Sequence, residues 1–254
     1  MIDIRCCDNM ELMKELPDNH IDLIYCDILY GTGRKFKDYQ DLKPKRDIIE
    51  DHYIPRIKEM HRILKNTGSI YLQMDTRINH WIRCIMDDIF GYDNFRNEIV
   101  WWYKTGGSSK NEFCKKHDVI LFYALNEYIF NPQKQKNYTK SKSRKAGIIN
   151  YGKGNAEFFE DSNGVFNYTY QHDVFDLSYL NSQSKERNGY TTQKPKELIK
   201  RFILASTNEG DLVADFYMGS GTTCEACKDL NRNFIGCDIS ERAVKITKER
   251  IETN

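Results

Sequence analysis

Val213-Ala-Asp-Phe-Tyr-Met-Gly-Ser-Gly-Thr-Thr223 decides how the chain is read. An apolar run ends in Asp215, passes through Gly219-Ser220-Gly221 and enters a segment of helical character at Thr222. Strand, glycine turn and helix N-terminus in that order let backbone N–H groups approach a ligand closely. One supersecondary unit later, Asn233-Phe-Ile-Gly-Cys-Asp238 reads as a second short strand that ends in a carboxylate, placed to accept hydrogen bonds from ribose hydroxyls. The C-terminal part therefore reads as a nucleoside-binding half-site. By themselves these residues also fit a plain strand–helix turn or half of a dinucleotide site. Cys224 stands where a G-x-G-x-x-G pattern needs its third glycine, and no lysine follows the turn as a triphosphate loop requires.

Working outward, the rest of the chain alternates strands with helices. Ile2–Cys6 is a short strand, Met10–Leu16 a helix, and Ile21–Cys26 an apolar strand of the kind buried on both faces, stopped by Asp27. A helix is expected over Tyr53–Leu64, with Asn66-Thr67-Gly68 as its stop. Strands follow at Ser69–Met74, Asn97–Tyr103 and Val119–Tyr123, and a helix at Trp81–Phe90. Pro195 opens a helix that reaches about Thr207, and Glu241–Ile251 forms the last one. The alternation predicts an α/β fold with a mostly parallel sheet and a hairpin-like antiparallel pair.

Length and composition bound the options. The 254 residues suffice for one α/β domain with a sizeable core and an inserted lobe. Charged residues are 30% and the hydrophobic set 40%, an ordinary globular balance. No apolar run approaches a membrane span, and Met1–Arg5 lacks the apolar core of a secretory leader, so the expected location is cytoplasmic. The eight cysteines are scattered, which favours reduced core thiols. Cys224 and Cys227 form a C-x-x-C on a helix with no matching pair, so packing is favoured over zinc, and no metal is expected.

Net charge is only +1, yet residues 128–156 hold Lys134, Lys136, Lys140, Lys142, Arg144, Lys145 and Lys153 and no acidic residue. Tyr138 and Tyr151 are interleaved. This is either a solvated loop or a surface that tracks phosphates. The span 128–188 shows no clear period and is expected to be an insertion outside the sheet, leaving 1–127 and 189–254 as the main domain.

Four segments together resemble the permuted, beta-ordered DNA amino-methyltransferases, which modify adenine N6 or cytosine N4 with S-adenosylmethionine. They are Cys7–Met13 with Leu16–Ile24; Asp27-Ile-Leu-Tyr-Gly-Thr-Gly33, where the family has Asp-Pro-Pro-Tyr and a turn; Tyr190-Thr-Thr-Gln-Lys-Pro195; and Asp215–Thr223 with Ile235-Gly-Cys-Asp238. The resemblance covers nearly all of the chain outside the basic insertion and implies a circularly permuted Rossmann-like methyltransferase fold. It assigns Asp215, Tyr217, Gly219, Ser220, Gly221 and Thr222 to the methionine part of the cofactor, Asp238 to its ribose and Asp8 to its adenine amino group. Gln193 and Lys194 fall near the methionine carboxylate. If Asp215 and Asp238 end the first two strands of such a sheet, Ile2–Cys6 is the third and Ile21–Cys26 the fourth, so Asp8 and Asp27 converge on the same crevice.

The chemistry requires an acceptor pair, because an exocyclic base amine has its lone pair delocalised into the ring. By resemblance the pair is the Asp27 carboxylate and the Ile28 carbonyl, with Tyr30 stacking on a base flipped out of the duplex. Ile28 and Leu29 replace both prolines of the family motif, and Phe216 replaces another. Losing them implies a freer loop and slower turnover. The chain is thus expected to be a site-specific DNA methyltransferase for adenine N6, with 128–188 reading the target. The alternatives are a cytosine-N4 enzyme, or a catalytically attenuated protein that binds S-adenosylmethionine and DNA. A homodimer and a cognate restriction endonuclease are implied by the resemblance alone.

Overall fold

The computed structural model describes residues 1–103, 105–141, 143–181, 183–190 and 192–252. The chain divides into two compact units, Met1–Asn131 with Asp173–Asn254, and Pro132–His172.

In the larger unit, β1 (Ile2–Cys6), α1 (Asn9–Glu15), β2 (Ile21–Asp27), α2 (Arg46–Ile63), β3 (Leu64–Met74), α3 (Asn79–Phe90), β4 (Phe95–Trp102) and β5 (His117–Ala124) follow one another. The smaller unit contributes β6 (Lys134–Tyr138), β7 (Gly147–Asn150), β8 (Asn155–Asp161) and β9 (Gly164–Tyr170). The chain returns through β10 (Val174–Asp176), α4 (Lys196–Ser206), β11 (Leu212–Asp215), α5 (Thr222–Asp229), β12 (Asn233–Asp238) and α6 (Glu241–Glu252).

The eight-stranded sheet has the order β1-β12-β11-β2-β3-β5-β4-β10. Strands β1, β12, β11, β2 and β3 are mutually parallel, and β5 is antiparallel to both β3 and β4. This is the expected permuted order, with Ile2–Cys6 and Ile21–Asp27 as third and fourth strands counted from β11. From β11 the chain winds one way through β12, and from β2 the other way through β3. The crevice at the carboxyl ends of β11 and β2 is therefore the switch point where open α/β sheets bind ligands. One face of the sheet packs on residues of α1, α2 and α3, among them Leu12, Ile57 and Ile82. The other packs on α4, α5 and α6, where Tyr25, Tyr71 and Phe175 each stack on Phe202.

Three local expectations are corrected. Helix α2 begins at Arg46, not near Tyr53, although Pro55 lies inside it. The buried residues Ile49, Tyr53, Ile57 and Met60 keep one apolar face through the proline, and burial of that face outweighs the missing donor. Asn66-Thr67-Gly68 does not stop this helix but sits in β3, whose register jumps from Leu64 opposite Ile21 to Ser69 opposite Leu23. The extra residues are held by Lys65 Nζ on Asp22, 2.7 Å away, and by the Leu125 amide on the Gly68 carbonyl at 3.1 Å. Finally, the span 128–188 is not wholly outside the main sheet, because β10 pairs with β4 and Trp101 Nε1 donates to the Leu177 carbonyl at 2.8 Å.

The smaller unit is a four-stranded antiparallel sheet of order β6-β9-β8-β7. Its tightest turn is Ser162-Asn163, between the paired Asp161 and Gly164; Gly164 sits at φ +123° and the Asn163 amide donates to Asp161 Oδ1 at 2.9 Å. The cross-strand pairs put Lys134, Lys136, Tyr138, Phe166, Tyr168, Tyr170 and Phe159 on one face. Only Phe166 of these is buried, under the Lys136 ammonium (4.2 Å) and beside the rings of Tyr138, Phe159 and Tyr168.

Candidate active site

The glycine loop is held by two carboxylates that close on backbone and hydroxyl donors. Asp215, 2% exposed, accepts from the Tyr217 amide at 3.0 Å and from Thr223 Oγ1 at 2.6 Å. Burial pushes its carboxyl up to about 7, against the pull of those two hydrogen bonds. Asp238 accepts from the Gly219 amide at 2.9 Å and from the Ser240 amide at 2.8 Å, and burial raises it too. Gly221 occupies the left-handed N-cap of α5 at φ +74°, and a Cβ there would meet Thr247 side-chain atoms at 2.3–2.8 Å. Gly236 admits no side chain either, because the Asp215 carbonyl lies 2.7 Å from where its Cβ would be. Arg250 braces the loop from α6: it pairs with Glu225 and donates to the Ser220 carbonyl at 3.2 Å and to Thr222 Oγ1 at 3.0 Å.

Asp8 is the N-cap of α1, accepting from the Met10 amide at 2.8 Å, and its second oxygen pairs with Arg56 at 3.2 Å. Arg56 Nε also donates to Asn9 Oδ1 at 2.9 Å, and Asn9 Nδ2 donates to the Phe216 carbonyl at 3.2 Å. Helix α2 thereby ties the end of β1 to the glycine loop. His52, one turn earlier, stands 3.2 Å from the Tyr217 hydroxyl, and burial, aided by Arg56, lowers its pKa to about 4.

Asp8, Asp27, Asp215 and Asp238 all line one cavity, together with Tyr217, Gly219, Ser220 and Thr222. Gln193 and Lys194 line it from the segment before α4. The polar end of Gln193 is engaged with the neighbouring loop: Oε1 accepts from the Asn188 amide at 3.0 Å and Nε2 donates to the Glu186 carbonyl at 2.8 Å. Lys194 reaches instead to Asp27, with which its ammonium pairs, and lies 5.1 Å from the Tyr30 ring centroid.

A second cavity shares Tyr190, Thr192, Gln193 and Lys194 with the first, and its remaining wall is Tyr30, Trp101, Tyr103, Asp118 and Tyr179 with their neighbours. Asp27 thus faces the first cavity, Tyr30 the second, and Lys194 both. Burial pushes the Asp27 carboxyl above its usual range, opposed by Lys194 and by the Tyr30 hydrogen bond. The Tyr30 hydroxyl lies 2.8 Å from Asp27 Oδ1 and 2.6 Å from Asp118 Oδ2.

The loop after Asp27 is tethered despite its missing prolines. Ile28, 2% exposed, donates its amide to the Gln73 carbonyl at 3.0 Å, and the Leu29 carbonyl accepts from the Tyr53 hydroxyl at 2.9 Å. A proline at position 28 would have no donor for that first bond.

Of the basic residues singled out in the sequence, Lys134 and Lys136 stand on β6 and Lys140, Arg144 and Lys145 in the connection to β7; Lys142 lies outside the described residues. Lys136 pairs with Asp161 at 2.7 Å, and the Arg144 guanidinium lies over the Phe158 ring at 4.9 Å. Asp118, Gln73 and Arg56 went unnoticed in the sequence, whereas Tyr103 reads there as a sheet-face residue able to line a base pocket. Of the three, only Asp118, a lone carboxylate heading the apolar run Val119–Tyr123, carried any signal there.

With this geometry in place, comparison with known proteins gives a consistent answer. Residues 21–249 match the N6_N4_Mtase DNA methylase family. The chain is 31% identical to the type II methyltransferase M.HpaI of Haemophilus parainfluenzae, covering 98% of this chain and 73% of that protein. It is 29% identical to the DNA adenine methyltransferase YhdJ of Escherichia coli K12, covering 96% and 81%. The crystal structure of the M1.HpyAVI–SAM complex shares the fold, with a TM-score of 0.60 at 21% identity over 98% of this chain and all of that one. The chain belongs to the DNA methylase family of the N6/N4 type.

Proposed function

We propose that this DNA methylase is a site-specific methyltransferase that moves the methyl group of S-adenosylmethionine to adenine N6 of a flipped base. The observation that carries the reading is the position of Asp27 at the end of β2, lining the first cavity and bonded to Lys194 and Tyr30, which line the second.

The first cavity fits a nucleoside with a charged tail. Asp238 and Asp8 keep free lone pairs beyond the bonds they make in the chain, suited to ribose hydroxyls and a base amine. Gly221 and Gly236 let Thr247 and the Asp215 carbonyl pack closely and so fix the shape of the loop that lines this cavity. Asp8, Asp215, Tyr217, Gly219, Ser220, Gly221, Thr222 and Asp238 would hold the cofactor, which supplies an activated methyl group when bound.

The second cavity takes the base. Tyr30 presents its ring there while its hydroxyl is anchored, so the ring keeps its orientation when a base stacks on it. Asp27 and the Ile28 carbonyl accept the hydrogens of the amine, directing its lone pair at the first cavity. Lys194 holds the Asp27 carboxylate in place. Adenine is preferred because the motif opens with Asp27 and because the similar YhdJ is named an adenine methyltransferase.

Target reading belongs to the inserted region. Its compact unit, Pro132–His172, carries seven basic and three acidic residues, against a net charge of +1 for the whole chain. Lys134, Lys136, Lys140, Lys142, Arg144 and Lys145 would contact phosphates, and the exposed tyrosines beside Lys134 and Lys136 would add flat contact surfaces. A homodimer and an accompanying restriction endonuclease are extensions of the same reading, implied by the family resemblance.

Methyl transfer from labelled S-adenosylmethionine to mixed genomic DNA, followed by nucleoside analysis, tests this with Asp27→Ala as control. N6-methyladenine that disappears in the control is expected. N4-methylcytosine would replace the base assignment, and cofactor and DNA binding without label would favour the attenuated alternative suggested by Ile28 and Leu29.

A further inference from the structure

Tyr30 has one hydroxyl proton and two carboxyl oxygens within hydrogen-bond reach, Asp27 Oδ1 at 2.8 Å and Asp118 Oδ2 at 2.6 Å. Its surroundings fix the arrangement. Gln73, fully buried, accepts from the Tyr25 hydroxyl on Oε1 at 2.7 Å. That turns its Nε2 toward Asp118 Oδ2 at 2.9 Å and toward the Tyr30 oxygen at 3.3 Å. Asp118, 3% exposed, takes a third donor on Oδ1, the Tyr103 hydroxyl at 3.0 Å. Three oxygens in a row therefore make two contacts of hydrogen-bond length, and Tyr30 supplies a proton for one of them. Both contacts are complete hydrogen bonds only when one of the two carboxyl groups carries a further proton.

The geometry points to a proton relay in which Asp118, acting through Tyr30, takes up the proton that the target amine loses on methylation. The inference rests on the reading of Asp27 as the acceptor for that amine. As the nitrogen lone pair forms the bond to the methyl carbon, the carbon–sulfur bond breaks and its electron pair stays on sulfur. The nitrogen, now positively charged, gives one proton to the Asp27 carboxylate. The proton on Asp27 Oδ1 passes to the Tyr30 oxygen while the Tyr30 hydroxyl proton passes to Asp118 Oδ2. The chain ends with Asp27 ionised again, Tyr30 neutral and Asp118 a neutral acid. Asp27 is thereby reset as the ionised partner of Lys194. Asp118 borders the second cavity, which offers its proton a way out.

The neighbourhood accounts for the direction. Lys194 pairs with Asp27 and so favours its ionised form, against the burial that raises this carboxyl. Tyr25, Cys26, Tyr39, Tyr103, Tyr190 and Asp215 also feel the Asp27 charge. Around the far end stand Tyr25 behind Gln73, and Tyr103 with Arg77 near it. No lysine or arginine is recorded in contact with the Asp118 carboxylate among the described residues, and its three partners are all neutral donors. A proton arriving there neutralises a buried charge that, among the described residues, is held by neutral donors.

The test uses the full chain as wild type, Asp118→Asn and Tyr30→Phe. Infrared spectra of the chain alone, titrated with acid, should show a carboxylic-acid carbonyl band that is missing in Asp118→Asn; its presence unchanged in that variant would overturn the relay. In single-turnover methylation with saturating cofactor and DNA, each variant should slow the step on the order of 10²-fold. Each should also lose the wild-type dependence of the rate on pH and on solvent deuterium. Tyr30→Phe keeps the stacking ring, so base flipping read by 2-aminopurine fluorescence should persist. A drop in rate with the pH and deuterium dependences intact would leave Asp118 a mere anchor for Tyr30 and would also overturn the relay. An active wild type with unaffected variants sinks the relay alone, whereas a wild type that methylates nothing sinks the functional reading and the relay with it.

Discussion

The crevice of the larger unit and the exposed face of the smaller one are both rich in charged groups, but they use them in opposite ways. In the crevice each carboxylate is tied down: Asp215 and Asp238 by amides of their own loop, Asp8 by the start of α1 and by Arg56, Asp27 by Lys194 and Tyr30. On the smaller unit's face Lys134, Tyr168 and Tyr170 stand exposed, and Lys136 has a single carboxylate partner. The difference is that between chemistry, which needs groups fixed to a fraction of an ångström, and attraction, which needs charge at the surface.

The largest effect that would sharpen this contrast is at Asp27. Asp27→Ala should reduce methyl transfer on the order of 10³-fold while cofactor affinity stays close to that of wild type, since the acceptor acts on the amine. Comparable activity in the variant would break the assignment of the crevice. Next is the loop scaffold. Gly221→Ala forces a Cβ into Thr247 at a left-handed φ, and should cost about 1–3 kcal/mol of stability together with most of the cofactor affinity. Calorimetric unfolding and titration of the cofactor would read the two losses separately.

A third comparison concerns the loop that lacks prolines. Ile28→Pro with Leu29→Pro should raise turnover if the missing prolines make the native enzyme slow. Ile28→Pro also removes the amide that bonds the Gln73 carbonyl, so Leu29→Pro alone is the cleaner probe. Unchanged turnover in both variants would remove the case for a slow enzyme.

In the smaller unit, Lys134→Ala, Lys140→Ala and Lys145→Ala should each reduce the slope of log affinity against log salt by about 1 and leave the single-turnover rate at saturating DNA unaltered. Lys136→Ala should do less, because Asp161 already neutralises that ammonium. A salt-independent affinity would dissolve the distinction between the two regions.

The smallest effect is a pH dependence of stability. The folded-state pKa of Asp215 is about 7, above the ordinary carboxylate value, so between about pH 4 and 7 the folded chain binds more protons at this site than the unfolded one. This contribution to stability is full below that range and is lost as pH rises through it. Denaturant midpoints of Asp215→Asn should lack this decline; an identical slope in variant and wild type would show that Asp215 is not shifted.

Much of the fold was readable in the residues. The apolar runs at Ile21, Val119 and Val213 became central strands, and the glycine turn opened α5. The four carboxylates met in one cavity, as the resemblance to the permuted family implied. What escaped was structure without a local mark. The strands of the smaller unit hid in polar, aromatic sequence where the alternation Phe166, Tyr168, Tyr170 was the only clue. The start of α2 hid behind Pro55, because a proline reads as a boundary until a continuous buried face is seen to override it. Lys194, placed by resemblance near the methionine carboxylate, lines the first cavity and also pairs with Asp27, a contact across 167 positions of sequence.

The sequence by itself determined the class of the molecule: residue patterning is local, and strand, turn and helix signals are written within a few residues of one another. It also determined where the strand ends put their acids. Tertiary structure alone decided what those acids do to each other. Tyr30 and Asp118 are 88 positions apart, and Arg56 and Asp8 are 48 apart. Such pairs exist only because the sheet lays β5 beside β3 and packs α2 against the end of β1. Hydrogen-bond geometry depends on distances that no spacing along a chain specifies.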